Sequence, residues 1–182
     1  YKLVPFGEFI PLRGFIPLEK KITHGIQDFS KGQGSKVVSL GEGIPSFMPL
    51  ICYEAIFPKL SYTIDTRPEW LLTITNDAWF GVSSGPYQHM QMARMRGVEQ
   101  GLPVVRAANT GISFVSDARG RILKQTKLNH SDKIFIKLPA SSDETFYGKQ
   151  PNKVTSGLVM LLLLVCLFLE LTYLKLQKRL LF

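Results

Sequence analysis

One run of the chain leaves little choice of environment. Between residues 154 and 174, VTSGLVMLLLLVCLFLELTYL, the only charge is Glu170. Wound as a helix at about 1.5 Å per residue, the run reaches about 32 Å, the thickness of a bilayer's hydrocarbon core. The competing reading is a very apolar buried helix. Glu170 would be costly deep in lipid, but it stands about one turn from the end of the run. Lys175, Lys178 and Arg179 follow at once, and positive residues beside a span stay in the cytoplasm. The expectation is one C-terminal transmembrane helix, with the preceding domain on the outer face. The first residues show neither a signal peptide nor an earlier span, so something upstream is expected to deliver that domain.

The rest of the composition belongs to one globular domain. The 182 residues are 45% hydrophobic and 20% charged, enough for one sizeable core and too apolar for a disordered chain. The net charge of +8 could point to nucleic acid. Its lysines and arginines are dispersed, however, and lack the interleaved aromatics of a stacking platform. The excess charge suits an anionic membrane surface instead. Two cysteines exclude a disulfide scaffold, and Cys166 lies inside the apolar run. No metal and no cofactor is expected.

Within residues 1–138 the pattern is one of short elements. SKVVSL (35–40), FMPLICYE (47–54) and WLLTITND (70–77) read as strands, the first two separated by the turn GEGIPS. The polar loop GVSSGP leads into a helix, YQHMQMARMRGVEQG (87–101), which stops at Gly101 before Pro103. PVVRAA and GISFVSD continue as strands around the turn NTG, ARGR makes a hairpin turn, and KIFIKL (133–138) closes the set. Strands joined partly by hairpins and partly by a helix predict an α/β domain with a mixed sheet. Residues 139–153 read as a polar linker, 154–174 as the span and 175–182 as a short basic tail.

The chemistry gathers at LICYEAIFP (50–58). Cys52 stands at the C-terminal end of a strand, where α/β sheets present reactive groups to a ligand crevice. A lone cysteine there is ordinarily a packed small hydrophobe. Its company argues otherwise: Glu54 follows two residues on, Asn76 and Asp77 end the next strand, and Asn109 ends a later one. Carboxylates and amides at strand ends can tune a thiol and hold a substrate carbonyl. Their ordinary use is in turns and caps, and for Asn109 in NTG that use is the stronger reading.

LVPFGEFIPL, ICYE, TNDAWFG, GPYQHMQMARMRGVEQGLPVVRAANTGIS and the final apolar run resemble the C-terminal part of bacterial apolipoprotein N-acyltransferases, membrane-anchored members of the nitrilase superfamily. Soluble nitrilase-type amidases usually carry Asp where this chain has Glu54, and they lack the TNDAWFG block. The resemblance implies a partial nitrilase-like αββα sandwich on the periplasmic face of the bacterial inner membrane, followed by the C-terminal transmembrane helix. It also implies a Glu, Lys, Cys triad. Cys52 matches the nucleophile, which takes an acyl chain from a phospholipid as a thioester and passes it to the α-amino group of a diacylglyceryl-modified lipoprotein. The backbone N–H of Tyr53 matches an oxyanion donor. Glu8 matches a glutamate that positions the lysine, and Glu54 a supporting carboxylate beside the nucleophile. Asn76 is expected to bind substrate, and Trp79 and Phe80 match a block near the acyl-chain entrance. His89 in GPYQH receives no catalytic role from the resemblance, and a lone helix histidine is more often a structural hydrogen-bonder.

The lysine of the triad departs from that pattern. It would fall one residue before Tyr1, leaving Lys2 out of register, and the general-base glutamate would also lie upstream. The chain therefore reads as the C-terminal portion of the enzyme, from a truncated gene, a split gene or an excised segment, and as inactive alone. Two further readings stand beside it. One is a carbon–nitrogen hydrolase that uses water as acceptor; the other is a non-catalytic remnant or a subunit of a split enzyme, partnered by the missing N-terminal half.

Overall fold

Three short, largely apolar segments build the centre of the molecule. In the computed structural model, which describes residues 1–5, 7–11, 29–62 and 66–180, β1 (Phe47–Ile51), β2 (Trp70–Asn76) and β3 (Val104–Asn109) run parallel. β4 (Phe114–Ser116) and β5 (Ile122–Gln125) then add antiparallel, giving a mixed sheet in the order β1-β2-β3-β4-β5. A period of two sends Met48 and Leu50, Leu71 and Thr73, Val104 and Arg106 to one buried face. The register sets them level in rows: Met48 beside Leu71 beside Val104, then Leu50 beside Thr73 beside Arg106. On the other face the row ends with Ile51 and Ile74, both about half exposed.

The parallel pair β2 and β3 needs a crossover, supplied by helix α1 (Gly85–Gln100). Pro86 sits in its first turn, where a missing N–H costs nothing. Pro86, His89, Met90, Ala93, Arg96, Gly97 and Gln100 are its buried residues, a helical spacing that presents one face to the sheet. Gly101 ends the helix at φ 65°, a left-handed cap whose N–H bonds back to Gly97 and Val98. Met90 and Ala93 join Met48, Leu50, Leu71, Val104 and Phe114 in the core.

Several expected strands differ from the observed ones. Residues 35–40 contribute only an isolated bridge between Val38 and Phe47, closed by two backbone hydrogen bonds of 2.7 and 3.0 Å. FMPLICYE is cut short because Cys52 turns into the left-handed region at φ 49° and a 3-10 turn, Cys52–Ile56, follows. The hairpin turn after β4 forms as expected, with the Gly120 N–H donating to Asp117 O at 2.9 Å. It leads into β5, however, and not directly to KIFIKL, which joins no ladder among the described residues. An alternating pattern becomes a strand only where a neighbouring edge offers hydrogen bonds.

The chain divides into two compact units, Tyr1–Asp143 and Glu144–Phe182. The second consists of a short helix α2 (Phe146–Lys149) and a long helix α3 (Pro151–Leu180), so helix already begins inside the stretch expected as linker. Within α3, Pro151–Tyr173 is long and apolar enough to cross a membrane, and none of its most apolar window is buried.

Helix α1 approaches β3 closely at Gly97. A Cβ there would meet the Val104 side chain and the Leu102 carbonyl. Gly97→Ala is expected to destabilise the domain by about 1–3 kcal/mol. The check is the urea midpoint of the detergent-solubilised chain, and an unchanged midpoint would contradict such close packing.

Candidate active site

Cys52 takes its position from the strand before it. Ile51 pairs with Ile74, so the next residue lies level with Thr75, on the face turned toward α1. There the Thr75 hydroxyl stands 3.2 Å from Cys52 Sγ. A positive φ in a residue with a Cβ is strained. At Cys52 it makes a sharp strand-to-helix turn that projects the thiol from the sheet instead of continuing along it.

Two groups hold this turn. The Glu54 carboxylate accepts from Ile51 N at 2.8 Å and Lys2 N at 3.3 Å, tying the end of β1 to the segment around Lys2. From the other side, His89 Nε2 lies 3.1 Å from the Cys52 carbonyl oxygen, and its Nδ1 lies 2.8 Å from Asp77 Oδ1. A carboxylate only accepts, so the bond to Asp77 takes its proton from Nδ1, and Arg106 Nη2 stands 3.3 Å from the same nitrogen.

Asp77 is the centre of a buried cluster. Its Oδ2 accepts from Arg106 Nη2 at 2.7 Å, and its Oδ1 faces both His89 and the Thr75 hydroxyl, the latter at 3.1 Å. Asp77, His89 and Arg106 are all buried. Burial pushes the Asp77 carboxyl up, but the hydrogen bond from His89 and the charges of Arg106 and His89 outweigh it and hold the group below the ordinary aspartate value. Burial also pulls the Arg106 guanidinium down, opposed by Asp77. Gly111 leaves room for the cluster: a Cβ there would meet the Asp77 carboxylate.

The thiol opens onto a cavity of about 590 Å³, lined among others by Glu8, Tyr53, Ile56, Asn76, Met92 and Phe29. Trp79 and Phe80 also line it, yet they are 58% and 43% exposed, so they are rim residues and not core aromatics. Asn76 Oδ1 accepts from Ala78 N and from Asn109 Nδ2, both at 3.1 Å. With its oxygen so occupied, Asn76 presents its amide nitrogen as the group that can still meet a ligand acceptor. Asn109 thus orients Asn76 as well as ending β3.

Cys52, Tyr53, Glu8, Asn76, Trp79 and Phe80 are therefore brought together at one cavity, whereas Glu54 is buried behind the turn and is not among the lining residues. Glu8 closes its own turn, with Oε2 accepting from Val4 N at 2.8 Å. Lys2 is absent from the lining residues, and its Nζ lies over the rings of Tyr1 and Phe57 at 5.8 and 5.7 Å. No lysine lines the cavity among the described residues.

Sequence reasoning missed Thr75 and Arg106, whereas His89 was read as a structural hydrogen-bonder and is one, joining Asp77 to the Cys52 carbonyl. A signal existed for Arg106, which occupies an inward position of an alternating strand, where a charge must find a buried partner.

Asp77→Asn removes the only carboxylate that Arg106 and His89 contact among the described residues. It is expected to cost about 3–5 kcal/mol, as breaking a buried charge pair does, measured by denaturant titration. The wild-type contribution should be complete above the ordinary aspartate value of about 3.9 and disappear as the pH falls from there through the lowered folded value. An acid unfolding profile that Asp77→Asn leaves unaltered would refute this.

The carbon–nitrogen hydrolase family pattern matches residues 13–142. A protein of Rhodopseudomonas palustris named apolipoprotein N-acyltransferase is 46% identical over 172 residues, covering 90% of this chain and 31% of its own length. One of the same name from Rickettsia prowazekii is 49% identical over 127 residues, covering 70% of this chain and 25% of its own length. The chain thus spans about a third or less of these curated relatives. Among solved structures, an amidase from Nesterenkonia sp. superposes with a TM-score of 0.44 at 21% identity, over 57% of this chain and 42% of the amidase. With the family pattern extending over well more than half of its residues, the chain belongs to the carbon–nitrogen hydrolase family.

Proposed function

We propose that this chain carries the nucleophile of an apolipoprotein N-acyltransferase, with Cys52 as the acyl carrier. The observation that supports it is a strained, projecting thiol at a largely apolar cavity with exposed aromatics at its rim. The name shared by the most similar relatives supports the choice of reaction.

In the first step Sγ attacks the ester carbonyl of a phospholipid. A C–S bond forms, the C–O bond breaks, and the glycerol oxygen leaves as an alcohol carrying the proton of the thiol. In the second step the α-amino group of a diacylglyceryl-cysteine attacks the thioester. A C–N bond forms, the C–S bond breaks, and the amine proton restores the thiol. Splitting the transfer makes each step easier, provided water is kept out, and an apolar cavity does that. The Tyr53 N–H follows the nucleophile directly and would serve the oxyanion. Asn76 would donate to the lipid headgroup or the ester. Glu8 would position a catalytic lysine supplied, with the general-base glutamate, by a segment upstream of Tyr1. Trp79 and Phe80 would receive the acyl chain. The domain would work on the periplasmic face of the inner membrane, anchored by α3.

Radiolabelled phospholipid should leave a hydroxylamine-sensitive thioester when the chain is supplied with the upstream segment. Cys52→Ala should abolish the label, and label remaining on Cys166 would overturn the assignment. Adding a lipopeptide amine should discharge it as amide; discharge only to water would favour a hydrolase.

The orientation is separately testable. A reporter fused after Phe182 should be cytoplasmic, because Lys175, Lys178 and Arg179 follow the apolar stretch. High activity of an alkaline phosphatase fusion there would reverse the topology.

A further inference from the structure

The Thr75 hydroxyl stands between two acceptors, Cys52 Sγ at 3.2 Å and Asp77 Oδ1 at 3.1 Å. It has one proton and can donate to one of them at a time. We propose that Thr75 is a catalytic residue whose hydroxyl acts as a hydrogen-bond switch on the nucleophile, donating to Sγ when the sulphur is anionic and to Asp77 when the sulphur is protonated or acylated. This rests on the reading of Cys52 as the acyl carrier.

The surroundings leave the hydroxyl proton as the moving part. Thr75 is buried in β2, and its β-branched side chain is stiff about χ1, so its oxygen keeps its place while the O–H bond rotates. Asp77 is fixed by Arg106 on one oxygen and His89 on the other. His89 also meets the Cys52 carbonyl, which fixes the turn that carries the sulphur. The hydroxyl is thus held within hydrogen-bond reach of both sulphur and carboxylate by a buried frame.

Each state of the sulphur then selects one direction. A thiol donates its own proton to Thr75 Oγ1, and Thr75 passes its hydrogen bond on to Asp77. A thiolate accepts from Thr75, a charge-assisted bond. Once the C–S bond of a thioester forms, the sulphur is a weak acceptor and the hydroxyl returns to Asp77. When the amine attacks and the C–S bond breaks, the departing sulphur regains the bond. No proton leaves the Thr75 oxygen at any stage. Asp77, His89 and Arg106 are positioning residues for this exchange.

The test is the rate at which iodoacetamide alkylates Cys52 in the full chain in detergent, at one neutral pH, with Cys166→Ser removing the second thiol. Losing a hydrogen bond to a charged group lowers the thiolate population on the order of tenfold or more. Part of this returns as higher intrinsic nucleophilicity, so Thr75→Val should react about three- to tenfold more slowly. Thr75→Ser, which keeps the hydroxyl, should stay within about twofold of wild type. If Thr75→Val does not fold, as judged by near-UV circular dichroism, Thr75→Ala makes the same comparison. Wild-type rates in folded Thr75→Val or Thr75→Ala, or an equally slow Thr75→Ser, would overturn the proposal. Alkylation needs no acyl transfer, so a Thr75 effect without an acyl thioester would sink the transfer reading alone, and a thioester without a Thr75 effect would sink only the switch.

Discussion

The carboxylate of Asp77 is the point on which the site depends. Buried charges are tolerated only when matched, and this one is matched from two directions: Arg106 reaches it from β3 and His89 from α1. Because Asp77 itself follows directly on β2, three elements are bound to each other through one group. The same contacts extend to the nucleophile, through His89 to the Cys52 carbonyl and through Thr75 to its sulphur. A strained residue persists only where its surroundings over-determine it. The charged cluster on one side and the Glu54 carboxylate on the other supply that determination.

The two sides of the sulphur differ in chemistry. Beneath it lie buried charges and hydrogen bonds, with His89 also reaching the cavity wall; in front of it lies a cavity lined mainly by aliphatic and aromatic groups. Such a division suits a nucleophile that must be held by polar groups while reacting with an apolar chain. Asn76, oriented by Asn109 and Ala78, brings an amide to the same cavity and gives a ligand's polar end something to meet. The described residues offer no cluster of side chains that could hold a metal ion.

Much of the framework was legible locally. The short apolar runs at 47–51, 70–76 and 104–109, the stop at Gly101 and the apolar stretch of α3 each follow from neighbouring residues, because composition and punctuation are properties of short segments. KIFIKL shows where this ends: it is as rich in β-forming residues as β3, but pairing needs an edge that no segment carries in itself. The placement of Cys52 at a strand end was likewise readable, whereas its left-handed backbone was not, since that conformation runs against the residue's own preference and is imposed by contacts.

What only the tertiary structure decided is which residues stand across from one another. Thr75, Asp77, His89 and Arg106 are separated in the chain by up to 31 positions, yet they meet around one carboxylate. A periodic pattern assigns a residue to a face but not to a partner. His89 therefore looked like any helix histidine, and PVVRAA by itself named no partner for Arg106. The sequence by itself determined the strands, the helix and a thiol at the end of one of them. The packing of α1 across β2 and β3 decided that these four side chains would form one cluster joined to it through Thr75 and His89, because a buried charge can be accommodated only where the fold delivers its counter-charge.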